Sequence, residues 1–232
     1  MSRLAAMMAA RDPLFRLIYQ FNLFPSRYIH ASWVDVMFEP SLWQRMAATR
    51  RCEAALNRVL LQELSLEDSF PVDFSAPAAR VGLLDQESLS RLSLYLGLTL
   101  DHSSIRRVIH GPSVAVLRQT LGDDAFLFAV QRAPLLAPPP GLLSPSLLPE
   151  SDPSDEPGAM LGRFQAIGRR VLAIALGGLP PDILKRFRLK LPYDPDMDFS
   201  ASDASPQTQV LLNRVLKETE PQWAFLFAPT TA

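Results

Sequence analysis

Proline placement constrains this chain more than any other feature. The sequence has 21 prolines against 10 glycines. Proline lacks an amide hydrogen and holds φ near about −65°, so it can open a helix but not continue one through its interior. Pro13, Pro40, Pro112, Pro157 and the pair Pro180-Pro181 each stand at the head of a new segment. Most of those segments carry apolar residues at three- and four-residue spacing, the signature of an amphipathic helix.

Asp12-Pro13 reads as an N-cap followed by a first helical residue. Leu14, Ile18 and Phe21 then share a face, with Leu17 and Phe24 close by, and Pro25 ends the helix. A second helix is predicted from Pro40 to about Leu64. Leu42, Trp43, Met46, Cys52, Leu56, Val59, Leu60 and Leu64 form its apolar side. Arg45, Arg50, Arg51 and Arg58 face elsewhere, toward solvent. Residues 65–80 read as a connection punctuated by Glu67, Asp68, Pro71, Asp73 and Pro77.

A helix follows from Asp85, with Leu89, Leu92 and Leu96 on one side and Gly97 as its stop. Another starts near Asp101 and carries Ile105, Val108 and Ile109. Gly111-Pro112 then opens a helix with Val116, Leu117 and Leu121, and Asp123 caps one through Arg132, with Phe126, Leu127 and Val130 inward. After Pro157, a stripe of Leu161, Phe164, Ile167, Val171 and Ile174 runs to Gly177-Gly178. A last helix holds Val210, Leu211, Val215 and Leu216. Basic and apolar residues alternate near 186–191, which allows one short strand there. The expected class is all-α, a mainly helical, irregular bundle.

Eight of the 24 residues in 134–157 are proline, and Glu150 to Glu156 holds four acids and no base. That composition predicts an extended linker or long surface loop. The expected organisation is a helical body over 1–133, the proline-rich linker over 134–157, and a C-terminal helical segment over 158–232 packed on the body.

Charge argues against a nucleic-acid binder. Residues 1–133 carry 14 Lys/Arg against 13 Asp/Glu, and residues 134–232 carry 9 against 11. Neither part has the basic excess that phosphate neutralisation requires. Arg106 and Arg107, on a helical pair broken at Gly111-Pro112, resemble a helix-turn-helix only superficially. A helical DNA-binding regulator is the alternative function. Twenty of the 23 basic residues are arginine, which suits bidentate ion pairs and interfaces.

Catalytic patterns are equally thin. The three histidines, His30, His102 and His110, lack ligand spacing, and no HExxH, Walker-type loop, GxGxxG or GxSxG occurs. Cys52 is the one cysteine and reads as a buried small hydrophobe rather than half of a thiol dyad. Asp194, Asp196 and Asp198 lack the glycine and bidentate glutamate of a calcium loop. No enzyme activity, no metal and no cofactor is expected. Met1 to Arg11 lacks a signal-peptide core, and prolines break the longest uncharged stretch, so a cytoplasmic location is expected.

Two groups remain as candidate partner contacts. Lys185, Arg186, Arg188 and Lys190 precede an acidic loop over 193–206 and could steer docking. Trp33, Trp223, Phe225 and Phe227 are large aromatics in loop or tail positions, where interface anchors are found.

Three segments carry a family resemblance. Phe21 to His30 (FNLFPSRYIH) followed by Pro40-Ser41-Leu42-Trp43 resembles the N-terminal region of SctK (YscK/PscK-like) proteins. Leu96-Gly97-Leu98 followed by Ile105-Arg106-Arg107-Val108 resembles a second family segment, and Leu189-Lys190-Leu191-Pro192 a third. The resemblance covers most of 17–136 and part of 160–220. It implies an adaptor of the bacterial type III secretion sorting platform, without catalytic residues. Such a protein would link the cytosolic domain of the ring protein SctD to pods built on SctQ, with the stator SctL and the ATPase SctN in the same assembly. It would be recruited to the cytoplasmic face of the inner membrane through those partners.

Overall fold

The computed structural model describes residues 12–139, 156–199 and 206–227. Among them the regular structure is helical throughout, with 14 α-helices and no strand. The chain begins with α1 (Pro13–Leu23), α2 (Ala31–Met37), α3 (Pro40–Ala47), α4 (Glu53–Glu63) and α5 (Pro77–Val81). Next come α6 (Gln86–Leu100), α7 (His102–Arg107), α8 (Gly111–Leu121), α9 (Asp123–Gln131) and α10 (Ala133–Leu136). The remainder is α11 (Pro157–Leu176), α12 (Pro181–Arg188), α13 (Pro206–Thr219) and α14 (Ala224–Phe227). No described helix is long and apolar enough to cross a membrane.

The proline signals behave as expected. Asp12 caps α1 by accepting a hydrogen bond from the Leu14 amide at 2.8 Å, with Pro13 in the first turn. Glu39 caps α3, accepting from the amides of Ser41 and Leu42 at 3.1 and 2.7 Å. The Ser41 hydroxyl is the main cause that holds the Glu39 carboxyl below its ordinary range, aided by those two amides.

Four expectations are corrected. The helix expected over 40–64 is two helices, α3 and α4, separated by a 3-10 turn at Arg50–Cys52. Thr49 leaves helical dihedrals (φ −105°, ψ 105°), and its hydroxyl donates back to the Arg45 carbonyl at 3.0 Å. A β-branched residue that satisfies a carbonyl locally competes with helix propagation. The break changes the helical phase, so Val59 faces solvent while Asn57 turns inward with Leu56 and Leu60.

Gly97 is not a stop, because α6 runs through it to Leu100. In α9 the inward residues are Ala125, Phe128 and Ala129, whereas Leu127 and Val130 are exposed. The short strand allowed near 186–191 does not form. Instead Pro181 opens α12, and Ile183 and Phe187, four residues apart, turn inward together. Asp182 in the first turn and Lys185, Arg186 and Arg188 in the last complement the helix dipole. Ala133–Leu136 is helical, and residues 140–155 of the expected linker lie outside the described residues.

The chain divides into two compact units, each built from separated stretches. The first takes Met1–Gln86, Leu179–Asp196 and Phe225–Ala232. Its core joins Ile18, Phe21, Leu60, Phe74 and Leu84 with Ile183, Phe187, Leu189 and Leu191 from the second stretch. Phe21 stacks near Tyr28 at 5.9 Å and meets the edge of Phe74 at 5.7 Å.

The second unit takes Glu87–Gly178 and Met197–Ala224. One contiguous cluster there includes Leu98, Ile105, Leu117, Phe128, Met160 and Phe164. Two glycines set the crossing of α6 and α11. A Cβ on Gly97 would collide with the Phe164 carbonyl, and one on Gly168 with the Ser93 carbonyl. The backbones therefore meet directly at both points, a geometry that only glycine permits. Asp101 is buried and accepts from Arg163 Nε at 2.8 Å and from the Ser104 hydroxyl at 2.6 Å, tying α11 to the start of α7.

Candidate partner-binding surface

The basic run near α12 divides by burial. Lys185 is exposed, and its Nζ donates to the Leu64 carbonyl at 2.9 Å. Arg186 is fully buried. Its Nη1 donates to the Asp182 carbonyl at 3.1 Å and the Ser69 hydroxyl at 3.3 Å, and its Nη2 to the carbonyls of Ser69 at 2.5 Å and Leu66 at 3.3 Å. Burial lowers its pKa, opposed by its electrostatic interactions with Tyr28 and Asp182. Arg186 thus fastens the irregular segment after α4 to α12.

Lys190 is buried as well. Its Nζ donates to the carbonyls of Gly82 and Leu84, each at 2.7 Å. The ammonium lies 5.2 Å from the Phe21 ring centre and 5.0 Å from that of Tyr28, within cation–π range. Burial pushes its pKa down to about 7, partly opposed by the Asp85 carboxylate. Burial also pushes the Tyr28 phenol up, with Arg186 opposing. Arg188 is half-buried and donates to the Asp194 carbonyl at 3.3 Å. The run is therefore not a continuous solvent-facing patch. Two of its four charges serve the interior of the first unit.

The aromatic candidates divide likewise. Trp33 lies in α2, and its indole Nε1 donates to the carbonyls of Arg188 at 3.1 Å and Leu191 at 3.0 Å. Its ring meets Tyr193 edge-on at 4.8 Å. Trp223 belongs to the second unit and donates to the Ser88 hydroxyl at 2.9 Å. Phe227 is half-buried, whereas Phe225 is 49% exposed. Between them Leu226 is buried, and its carbonyl accepts from Arg80.

Cys52 is half-buried at the N-cap of α4, not deep in the core as expected. The helical pair after Asp101 packs as a plain bundle element. Arg106 and Arg107 are exposed, and Arg107 donates to the Ser104 hydroxyl at 3.0 Å. Among the described residues no group of histidine, cysteine and acidic side chains has metal-binding geometry.

Sequence reasoning missed a groove in the first unit. It has a volume of about 290 Å³ and is lined by Leu23, Phe24, Ala54, Asn57, Arg58, Leu61 and Glu67. Asn57 is 4% exposed, and its Oδ1 accepts from the Ser26 amide at 2.9 Å. Its Nδ2 finds no acceptor among the described residues. A polar residue at an inward position, between Leu56 and Leu60, was the available signal.

The described residues define a helical protein in which the buried charges of Arg186, Lys190 and Asp101 are engaged in packing. The chain belongs to the YscK family: the family model for YOP proteins translocation protein K (YscK) matches residues 17–228. Among solved structures, it resembles the cytoplasmic domain of the T3SS sorting platform protein PscK from P. aeruginosa. The TM-score is 0.61 at 22% identity, covering 88% of this chain and 95% of that one. At this identity the likeness establishes a shared fold. A comparison with curated proteins gives no match.

Proposed function

We propose that this protein is a non-catalytic, cytoplasmic adaptor of the bacterial type III secretion sorting platform. In this reading it links the cytosolic domain of an SctD-like ring protein to pods containing an SctQ-like protein. SctL-like and SctN-like components join the same assembly, and recruitment to the inner membrane runs through the partners. The observation that carries the reading is the family match across residues 17–228. The fold shared with PscK over 88% of the chain supports it.

The chemistry of the interior is consistent with an adaptor. Buried Arg186, Lys190 and Asp101 each hold a structural hydrogen bond, which leaves them to packing rather than to a substrate. Docking would then rest on exposed anchors, as in interfaces where a few residues dominate the affinity. Of the eight candidate contacts, Lys185 and Phe225 have the exposure that partner contact needs.

A pull-down with the tagged full-length chain from a secreting cell, read by mass spectrometry, tests the proposal. Recovery of SctD-, SctQ- and SctL-like proteins is the expected result. A well-expressed chain that recovers none of them overturns it, and DNA binding measured against salt then tests the regulator alternative.

A further inference from the structure

We propose that the solvent-facing side of α3, the turn Arg50–Cys52 and α4 docks an acidic, amphipathic helix of a partner protein. The inference rests on the adaptor reading only for the setting in which the partner is found. The surface itself is argued from three independent features.

The first is an amphipathic helix, α3, with no fully buried residue. Its Leu42 is 44% exposed. Trp43 is half-buried and packs against the half-buried Phe38 at 5.0 Å. An amphipathic sequence is normally spent on a core. Here the break at Thr49 separates α3 from the buried side of α4, and Leu42 stays exposed while Trp43 and Met46 are only half-buried.

Charge supplies the second feature. Arg45, Arg50, Arg51 and Arg58 are all exposed, and among the described residues Arg45, Arg51 and Arg58 make no ion pair. Arg51, Ala55, Arg58, Val59 and Gln62 follow helical spacing along one exposed stripe. Guanidinium groups present forked donors that match carboxylates, and arginine is enriched at protein interfaces.

The third feature is the groove beside Arg58. Its walls include Leu23, Phe24, Ala54, Asn57 and Leu61, and the Asn57 amide nitrogen finds no acceptor among the described residues. An apolar side chain flanked by a carboxylate fits this recess. A bilayer surface fits it poorly, because Glu67 also lines the groove and would repel a continuous anionic sheet. An individual helix can set its acids against the arginines and keep them from Glu67.

The test uses the full-length chain in a secreting cell, with the photo-crosslinker benzoyl-phenylalanine in place of Leu42 or of Val59. The adduct is mapped to residues by mass spectrometry. The expected partner segment carries several Asp or Glu residues at helical spacing around aliphatic ones. Arg51→Glu with Arg58→Glu should then cut adduct yield about tenfold, and Arg51→Gln with Arg58→Gln should reduce it less. An unchanged melting temperature checks that both double variants fold. A synthetic peptide of the mapped segment should bind the purified chain about tenfold more weakly when salt is raised well beyond physiological strength. An adduct to a neutral or basic segment, to a second copy of the chain or to lipid overturns the proposal. So does an absent adduct, or one indifferent to charge reversal. If the pull-down recovers secretion components while these results fail, the docking surface is wrong and the adaptor reading stands. If an acidic helix outside the secretion machine is captured with the expected charge dependence, the reverse holds.

Discussion

At the scale of single residues, the buried cations near α12 matter most. Arg186 satisfies the carbonyls of Leu66, Ser69 and Asp182. Removing it leaves those oxygens without that donor in a region closed to water. Arg186→Leu should lower unfolding stability by about 3 kcal/mol in urea titration. Arg186→Lys should not restore it, since an ammonium cannot span the same set of acceptors.

Lys190 gives a pH dependence. Its pKa falls from 10.5 in the unfolded chain to about 7 in the fold. Below about pH 7 both states hold the proton, so this residue adds no slope. Above it the unfolded chain keeps a proton that the folded chain has shed, so stability rises with pH toward the ordinary lysine range. The stability of the wild type relative to Lys190→Met should therefore increase by on the order of 2 kcal/mol between about pH 7 and 9. Tyr28 does not interfere, because burial raises its pKa well above that window. Neither residue announced its role in the sequence. Alternating charge reads as a surface feature, and only the carbonyls of Gly82 and Leu84, more than a hundred residues away in the chain, make Lys190 an interior group.

Helices and their junctions form the next scale. The crossing of α6 and α11 depends on Gly97 and Gly168. Each alanine substitution should cost about 3 kcal/mol, because a methyl group would have to force two backbones apart. Gly162→Ala, in the same α11, meets open space and should stabilise by about 1 kcal/mol. Thermal unfolding of the three variants distinguishes crowding at the crossing from a general effect of alanine. Gly97 shows why spacing misleads here. A glycine after an apolar run is a common helix stop, yet a glycine facing another backbone leaves the same mark in the sequence. The break between α3 and α4 was hidden for a related reason. Apolar residues continue at three- and four-residue intervals on both sides of Thr49, and nothing in that pattern records a change of phase.

The whole molecule is assembled out of chain order. Leu179–Asp196 returns to the unit that begins at Met1. It brings Ile183, Phe187, Leu189 and Leu191, all buried. A fragment of residues 1–133 should therefore show no cooperative unfolding by circular dichroism. Supplying residues 158–232 as a second chain should restore part of the transition. Loss of a large share of a unit's apolar contacts leaves too little burial to offset conformational entropy.

Much of the helical content was decided locally. Asp12-Pro13, Pro40, Gly111-Pro112 and Pro157 each start a helix with proline in its first turn, and the stripe from Phe164 to Ile174 turns inward as its spacing demands. These features depend on neighbours within one or two turns, so the amino-acid order by itself determines them, and with them the all-α class. The segments quoted for the SctK resemblance likewise lie within the family match over 17–228. Tertiary structure alone decided which charges are buried, which glycines touch another backbone, and which apolar face is left to solvent. Those outcomes depend on contacts between residues distant in the chain, and a one-dimensional pattern carries no distance between them.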